Sequence, residues 1–145
     1  MEYQELVRLA KEAMMGAYAP YSGYYVGAAL LAKNGRVYTG CNIENAAYSP
    51  SCCAERTAFF KAVSQGEREF SAIAVVGGKA GKIQGFFPPC GVCRQVMLEF
   101  CRPDFTVVLA DAEENIQCRT LQELVPLAFT SGEHLSDAAK AVDIR

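Results

Sequence analysis

Apolar residues recur at intervals of three and four near the start of the chain. Tyr3, Leu6, Val7, Ala10, Ala13, Met14 and Ala17 share one stripe, the pattern of an amphipathic helix over 3–17. Glu2 and Glu5 lie near its positive end, and Pro20 stops it. The stretch "YYVGAALLAKNGRVYTGC" (24–41) reads as two β-rich runs around Asn34-Gly35. That dipeptide supplies the positive φ angles of a tight hairpin turn, so the two strands should be antiparallel neighbours. Residues 54–66, "AERTAFFKAVSQG", return to helical spacing and stop at Gly66. A short buried strand over 71–78, a helix over 93–101 and a strand over 105–111 follow, then a possible short strand at 116–119 and a last helix over 121–129. Strand–helix–strand crossovers predict a partly parallel sheet covered on both faces: an α/β/α three-layer sandwich with a mixed sheet of about five strands. "GGKAGKIQG" (77–85) lacks phosphate-loop spacing and reads as a surface loop.

Composition narrows the class. At 145 residues and 51% apolar, one compact domain over 1–145 is expected. The net charge of −2 comes without runs of like charge, which argues against nucleic acid or an anionic membrane as partner and favours a small molecule. Seven cysteines are an odd number, and the first residues carry acids where a signal peptide has bases, so a reducing cytoplasm is expected. No apolar run approaches the roughly 20 residues that span a bilayer.

The candidate chemistry lies at the start of two helices. Cys90 and Cys93 are spaced i, i+3, so in a first helical turn their sulfurs can converge on one ion. A redox pair is the alternative, but it gives no role to Cys52, Cys53 and Glu55 upstream. The lone histidine, His134, lies outside both motifs and reads as a surface residue, so the ligand shell must be thiolate. A third ligand comes from Cys52 or Cys53. Zinc deaminases place a non-ligating glutamate two residues after the first ligand, with Pro-Cys-x-x-Cys downstream, and here that pattern matches Cys53, Glu55, Pro89, Cys90 and Cys93. Cys52 is then a small buried hydrophobe. On an ideal helix Cys53 and Glu55 point about 200° apart, so they share a metal only if Cys53 begins the helix.

The segments "PYSGYYVGAALL", "GCNIENAAY", "CAERTA", "PPCGVCRQ" and "ELVPLAF" stand in the order and spacing of the small zinc-dependent cytidine deaminases, which the chain closely resembles over most of its length. The resemblance implies hydrolytic deamination of cytidine and 2'-deoxycytidine to uridine and 2'-deoxyuridine, with release of ammonia, in pyrimidine salvage. It implies about one zinc per chain on Cys53, Cys90 and Cys93, a proton shuttle at Glu55, and ribose contacts from Asn42 and Glu44. Ala46, Tyr48 and Phe129 match positions that reach a neighbour's active site in a homotetramer. Tyr24 stands where the family usually has a phenylalanine against the base; its hydroxyl needs a partner. Arg56 offsets the excess negative charge of a three-thiolate zinc together with the two helix N-termini, its alternative being a surface ion pair. Two other classes share parts of the pattern. A structural zinc module on Cys52, Cys53, Cys90 and Cys93 would be chemically inert, and a polynucleotide deaminase would need a basic groove that this charge balance does not supply.

Overall fold

The computed structural model describes residues 1–131; His134 lies outside the described residues. Helix α1 (Tyr3–Met14) is followed by strands β1 (Tyr24–Ala32) and β2 (Val37–Cys41), helix α2 (Ala54–Ser64), strand β3 (Phe70–Lys79) and helix α3 (Gly91–Phe100). Strands β4 (Thr106–Ala110) and β5 (Ile116–Thr120) and the single turn α4 (Leu121–Leu124) follow. The sheet runs β2-β1-β3-β4-β5. Its β1–β2, β1–β3 and β4–β5 pairs are antiparallel and β3–β4 is parallel, joined across α3 as the crossover pattern requires.

Alternation along the strands builds two cores. On one face Leu6, Val7, Ala10 and Met14 of α1 pack against Ala29, Ala74, Val76 and Val108. On the other, Phe59 of α2 and Met97 of α3 pack with Leu30, Ile73, Val75 and Val107. The three-layer, mixed five-stranded sandwich expected from the sequence is the observed architecture. One close approach matters for the site: a Cβ on Gly40 would lie 2.4 Å from the Ala54 carbonyl oxygen and 2.6 Å from the Ala58 nitrogen. The bare glycine lets the start of α2 lie directly on β2.

The structure departs from the sequence expectations in four places. Helix α1 ends at Met14 rather than 17, because the Tyr18 backbone is drawn into pairing with Asn42 (3.0 Å) and Glu44 (2.9 Å). In the β1–β2 turn only Gly35 has positive φ (90°), and Asn34 instead accepts from the Arg36 N–H (3.0 Å) and donates to Glu67 (2.9 Å). Strand β3 extends to Lys79, so the first residues of "GGKAGKIQG" belong to the sheet. The final helix stops at Leu124: Pro126 cannot continue it, the residue before a proline is disfavoured in the helical region, and Val125 sits at φ −135°, ψ 74°. The turn that does form is closed by a capping box between Thr120 and Glu123.

Candidate active site

Helices α2 and α3 bring their N-termini together. Cys53 is the N-cap of α2 in extended conformation (φ −70°, ψ 156°), and Cys90 is the N-cap of α3 (φ −70°, ψ 170°). Cys53 therefore precedes the first helical residue, which removes the angular conflict with Glu55. The sulfurs of Cys53, Cys90 and Cys93 and no other group of three metal-ligating side chains among the described residues lie within 4.8 Å of one another. Cys53 Sγ is 3.7 Å from Cys90 Sγ, close to the roughly 3.8 Å edge of a tetrahedron with Zn–S near 2.3 Å. Cys90 is exposed, Cys53 half-buried and Cys93 buried, so the cluster runs from the surface into the interior. The residues present fit a zinc ion with one open position.

The local electrostatics favour thiolate at Cys53. Cys93 donates to the Cys53 sulfur, and Arg56 Nη2 donates to it from 3.4 Å; with Cys90 beside it, these hold the Cys53 thiol down at about 5 against the upward push of burial. Cys93 is correspondingly raised, first by giving its hydrogen to Cys53 and then by burial. Two helix N-termini, each carrying roughly half a positive charge, face the same sulfurs. Among the described residues Arg56 forms no salt bridge with a carboxylate, and its Nε is buried without a hydrogen-bond partner. The surface ion pair considered for Arg56 is thus not what the structure contains.

Glu55 lies in the first turn of α2 and is 4% exposed. Burial pushes its carboxyl up to about 7, and the charge on Cys53 pushes the same way. A carboxyl poised near neutrality beside a metal cluster can take up and release a proton without a large energetic cost in either direction. Cys52 points elsewhere. Its sulfur accepts from Thr57 Oγ1 at 3.7 Å, and it is half-buried rather than a core residue. Its backbone pairs with Ile43 in both directions (2.8 and 2.9 Å), which seats the segment around Asn42 and Glu44 beside the metal cluster.

That segment forms a second cluster. Asn42 is buried, donating from Nδ2 to the Tyr24 carbonyl (2.8 Å) and accepting at Oδ1 from the Val26 N–H (2.8 Å). One amide hydrogen and one lone pair remain for a ligand. Glu44 accepts from the Tyr21 N–H (2.9 Å), the Ser22 N–H (3.0 Å) and the Ser22 hydroxyl, which hold its carboxyl below the usual range. The Ser22 hydroxyl also accepts from the Tyr24 N–H (3.0 Å). Sequence reasoning missed Ser22 as the clamp on Glu44; at 22 residues' separation no local signal exists. Tyr24 is 41% exposed, and its ring lies 6.2 Å from that of Phe87, which sequence reasoning also passed over. Ala46, Tyr48 and Phe129 are not drawn into either cluster as core residues: all three are exposed. Tyr48, 71% exposed, holds a positive φ of 53° and meets Tyr21 edge-on at 6.1 Å. Phe129 is 63% exposed, and its carbonyl accepts from Gln95 of α3 (3.0 Å).

Comparison with known proteins agrees with this geometry. Residues 1–109 match the profile of the cytidine and deoxycytidylate deaminase zinc-binding region. A cytidine deaminase of Sporosarcina psychrophila is 51% identical over 140 residues, covering 97% of this chain and 99% of the relative. One from Halalkalibacterium halodurans is 50% identical over 137 residues, 94% of this chain and 100% of the relative. The crystal structure of cytidine deaminase from Burkholderia pseudomallei superposes with a TM-score of 0.83 at 46% identity, covering 89% of this chain and all of that one. With three thiols at zinc spacing, a buried carboxyl beside them and these similarities along its length, the chain belongs to the zinc-binding cytidine and deoxycytidylate deaminase family.

Proposed function

We propose that this chain, as one domain over 1–145, deaminates free cytidine and 2'-deoxycytidine in pyrimidine salvage, with zinc held by Cys53, Cys90 and Cys93. The observation that carries this is the placement of a buried carboxyl, Glu55, in the first turn of the helix that Cys53 caps, beside the clustered sulfurs of Cys53, Cys90 and Cys93. Zinc, when bound, supplies the Lewis acidity that makes a water molecule nucleophilic at neutral pH. Glu55 accepts a proton from the attacking water, delivers it to N3 of the pyrimidine, and stays buried so that the proton is not lost to solvent. Water adds at C4, Glu55 then moves the proton of the new 4-hydroxyl to the 4-amino group, the C4–N bond breaks as C4=O forms, and cytidine and water become uridine and ammonia. Asn42 and Glu44, immobilised by Tyr24, Val26, Tyr21 and Ser22, offer their remaining acceptors and donor to the sugar hydroxyls. Tyr24 presents its exposed ring to the base.

Release of ammonia from cytidine tests this reading directly. The purified protein should release it, and a strong chelator should abolish release until zinc is restored; turnover unaffected by metal removal would overturn the assignment. A structural zinc module predicts no release at all. The Cys52 position argues against that alternative, because its sulfur is turned to Thr57 rather than to the three clustered thiols.

A cytoplasmic location is supported by seven free cysteines and by the lack, among the described residues, of any helix long and apolar enough to cross a membrane. The assembly is a homotetramer with active sites shared between subunits. The exposure of Tyr48, Phe129 and Leu127 supports this reading, since it leaves these large side chains accessible to a neighbouring subunit. Glu55→Ala and Phe129→Ala, each inactive alone, should regain activity when unfolded and refolded together, because mixed assemblies contain sites with both intact halves. No gain on mixing, or an active monomer by light scattering, would remove Ala46, Tyr48 and Phe129 from the site.

Arg56→Ala should keep the fold and lower zinc affinity by about 10- to 100-fold, the range typical of a lost outer-shell partner. Titration against a chromogenic chelator measures this. An unchanged affinity and rate would show that the guanidinium next to Cys53 does not stabilise the bound metal.

A further inference from the structure

The metal cluster and the Asn42–Glu44 cluster meet at an aromatic pair whose second member has no role in the site so far. We propose that Phe87 is a positioning residue for the nucleoside base: it holds the Tyr24 ring in register with the metal ligands and so sets the affinity for substrate. The proposal rests on the reading of Tyr24 as the base contact.

Three features place Phe87 in this role. First, its ring occupies a slot built into the sheet. Val26 of β1 and Gly77 of β3 are register partners, and a Cβ on Gly77 would stand 2.9 Å from Phe87 Cγ and 3.1 Å from Val26 Cγ2. The ring fills the space that Gly77 leaves empty beside Val26. Tyr24 is two residues before Val26 on the same strand, so its side chain stands on the same face. Its ring meets that of Phe87 at 6.2 Å and 34°, within the range of favourable aromatic pairs.

Second, Phe87 is tied to the metal ligands through a short, stiff connection. Pro88 and Pro89, each with φ fixed by its ring, separate it from Cys90. The Pro89 carbonyl accepts from Arg94 Nε (2.8 Å), which binds the connection to α3. Third, the backbone of Tyr24 is held from the other side by Ser22 and Asn42. Tyr24 thus has a main chain anchored in the sugar cluster and a side chain braced by the metal loop. Tyr24 is still 41% exposed, so the pairing with Phe87 leaves it accessible to a ligand. Phe87 itself is only half-buried, so its ring is not sealed within the core.

The test is a double-mutant cycle on the zinc-loaded protein, read as KM and kcat for cytidine and as the dissociation constant of uridine by calorimetry. Phe87→Leu keeps an apolar group in the slot but removes the ring. It should raise KM and the uridine dissociation constant about three- to tenfold, with kcat changed less than about twofold. In a Tyr24→Ala background the same substitution should add less than about twofold, because its effect passes through the Tyr24 ring. Gly77→Ala, whose new methyl group displaces the Phe87 ring without altering Phe87, should reproduce the KM effect. Equal losses in both backgrounds, an unchanged KM, a defect confined to kcat, or loss of zinc would each overturn the proposal and leave Phe87 as packing. If the unaltered protein neither deaminates cytidine nor binds uridine, the base reading falls first and this proposal falls with it. That outcome is distinct from a wild-type enzyme that works and a cycle that shows no coupling.

Discussion

Glu55→Gln is expected to retain zinc and fold while turnover of cytidine falls by about two to four orders of magnitude, the usual contribution of a general acid–base group. The amide has nearly the same shape and can still occupy the buried first turn of α2, where the carboxyl is 4% exposed. Burial opposes the charged carboxylate most strongly of all the influences on Glu55, so a neutral side chain adds no new electrostatic cost to the fold. What the amide cannot do is accept a proton from water and pass it on. The comparison is kcat for the two proteins at equal zinc content. Near-normal deamination by the glutamine variant would sink the shuttle, and loss of zinc would show that Glu55 is needed to assemble the metal site rather than to move a proton.

Cys53→Ser should be the most damaging of the cysteine substitutions together with Cys90→Ser and Cys93→Ser. Each removes one of the three ligands proposed for zinc, so zinc affinity should drop by more than the 10- to 100-fold typical of a lost outer-shell partner, and turnover should fall with it. Cys52→Ser is the control made for this chain. It differs by one position, yet its sulfur faces Thr57 Oγ1 and its backbone is fixed by paired hydrogen bonds to Ile43 that serine preserves. It should keep about one zinc per chain. Elemental analysis after dialysis decides the matter: zinc lost from Cys52→Ser and retained by Cys53→Ser would reverse the ligand assignment.

The structure also shows why two adjacent cysteines take different places, only one of them joining the cluster with Cys90 and Cys93. Cys52 is the last residue of a bridge to Ile43, and Cys53 is the first residue of a helix cap, so their side chains leave the chain on different sides. Nothing in the dipeptide alone distinguishes them; only the pattern that includes Glu55 did. The opposite case is Phe87. Phe86 and Phe87 look alike in "GFFPPC", and it is Gly77, ten residues upstream and on a different element, that makes a seat for one of them. Likewise Ser22 becomes the clamp on Glu44 only after the chain has turned back through β1 and β2.

The sequence by itself determined the order of elements, the two-sided burial of the sheet, the spacing of Cys90 and Cys93 and the placement of Glu55 two residues after Cys53, because each depends on periodicity or on neighbours within one helical turn. It failed at ends and turns. The capped single turn α4 and the early stop of α1 were set by a proline and by pairing of Tyr18 with a segment 24 residues later. Only the tertiary structure decided that the N-termini of α2 and α3 converge, that Arg56 points at the Cys53 sulfur instead of a carboxylate, and that Asn42 gives half of its amide hydrogen-bonding capacity to the backbone of β1. The physical reason is common to all three: a side chain's partner is chosen by which elements the sheet order brings together, and β2-β1-β3-β4-β5 places distant segments side by side in a way that no local pattern encodes.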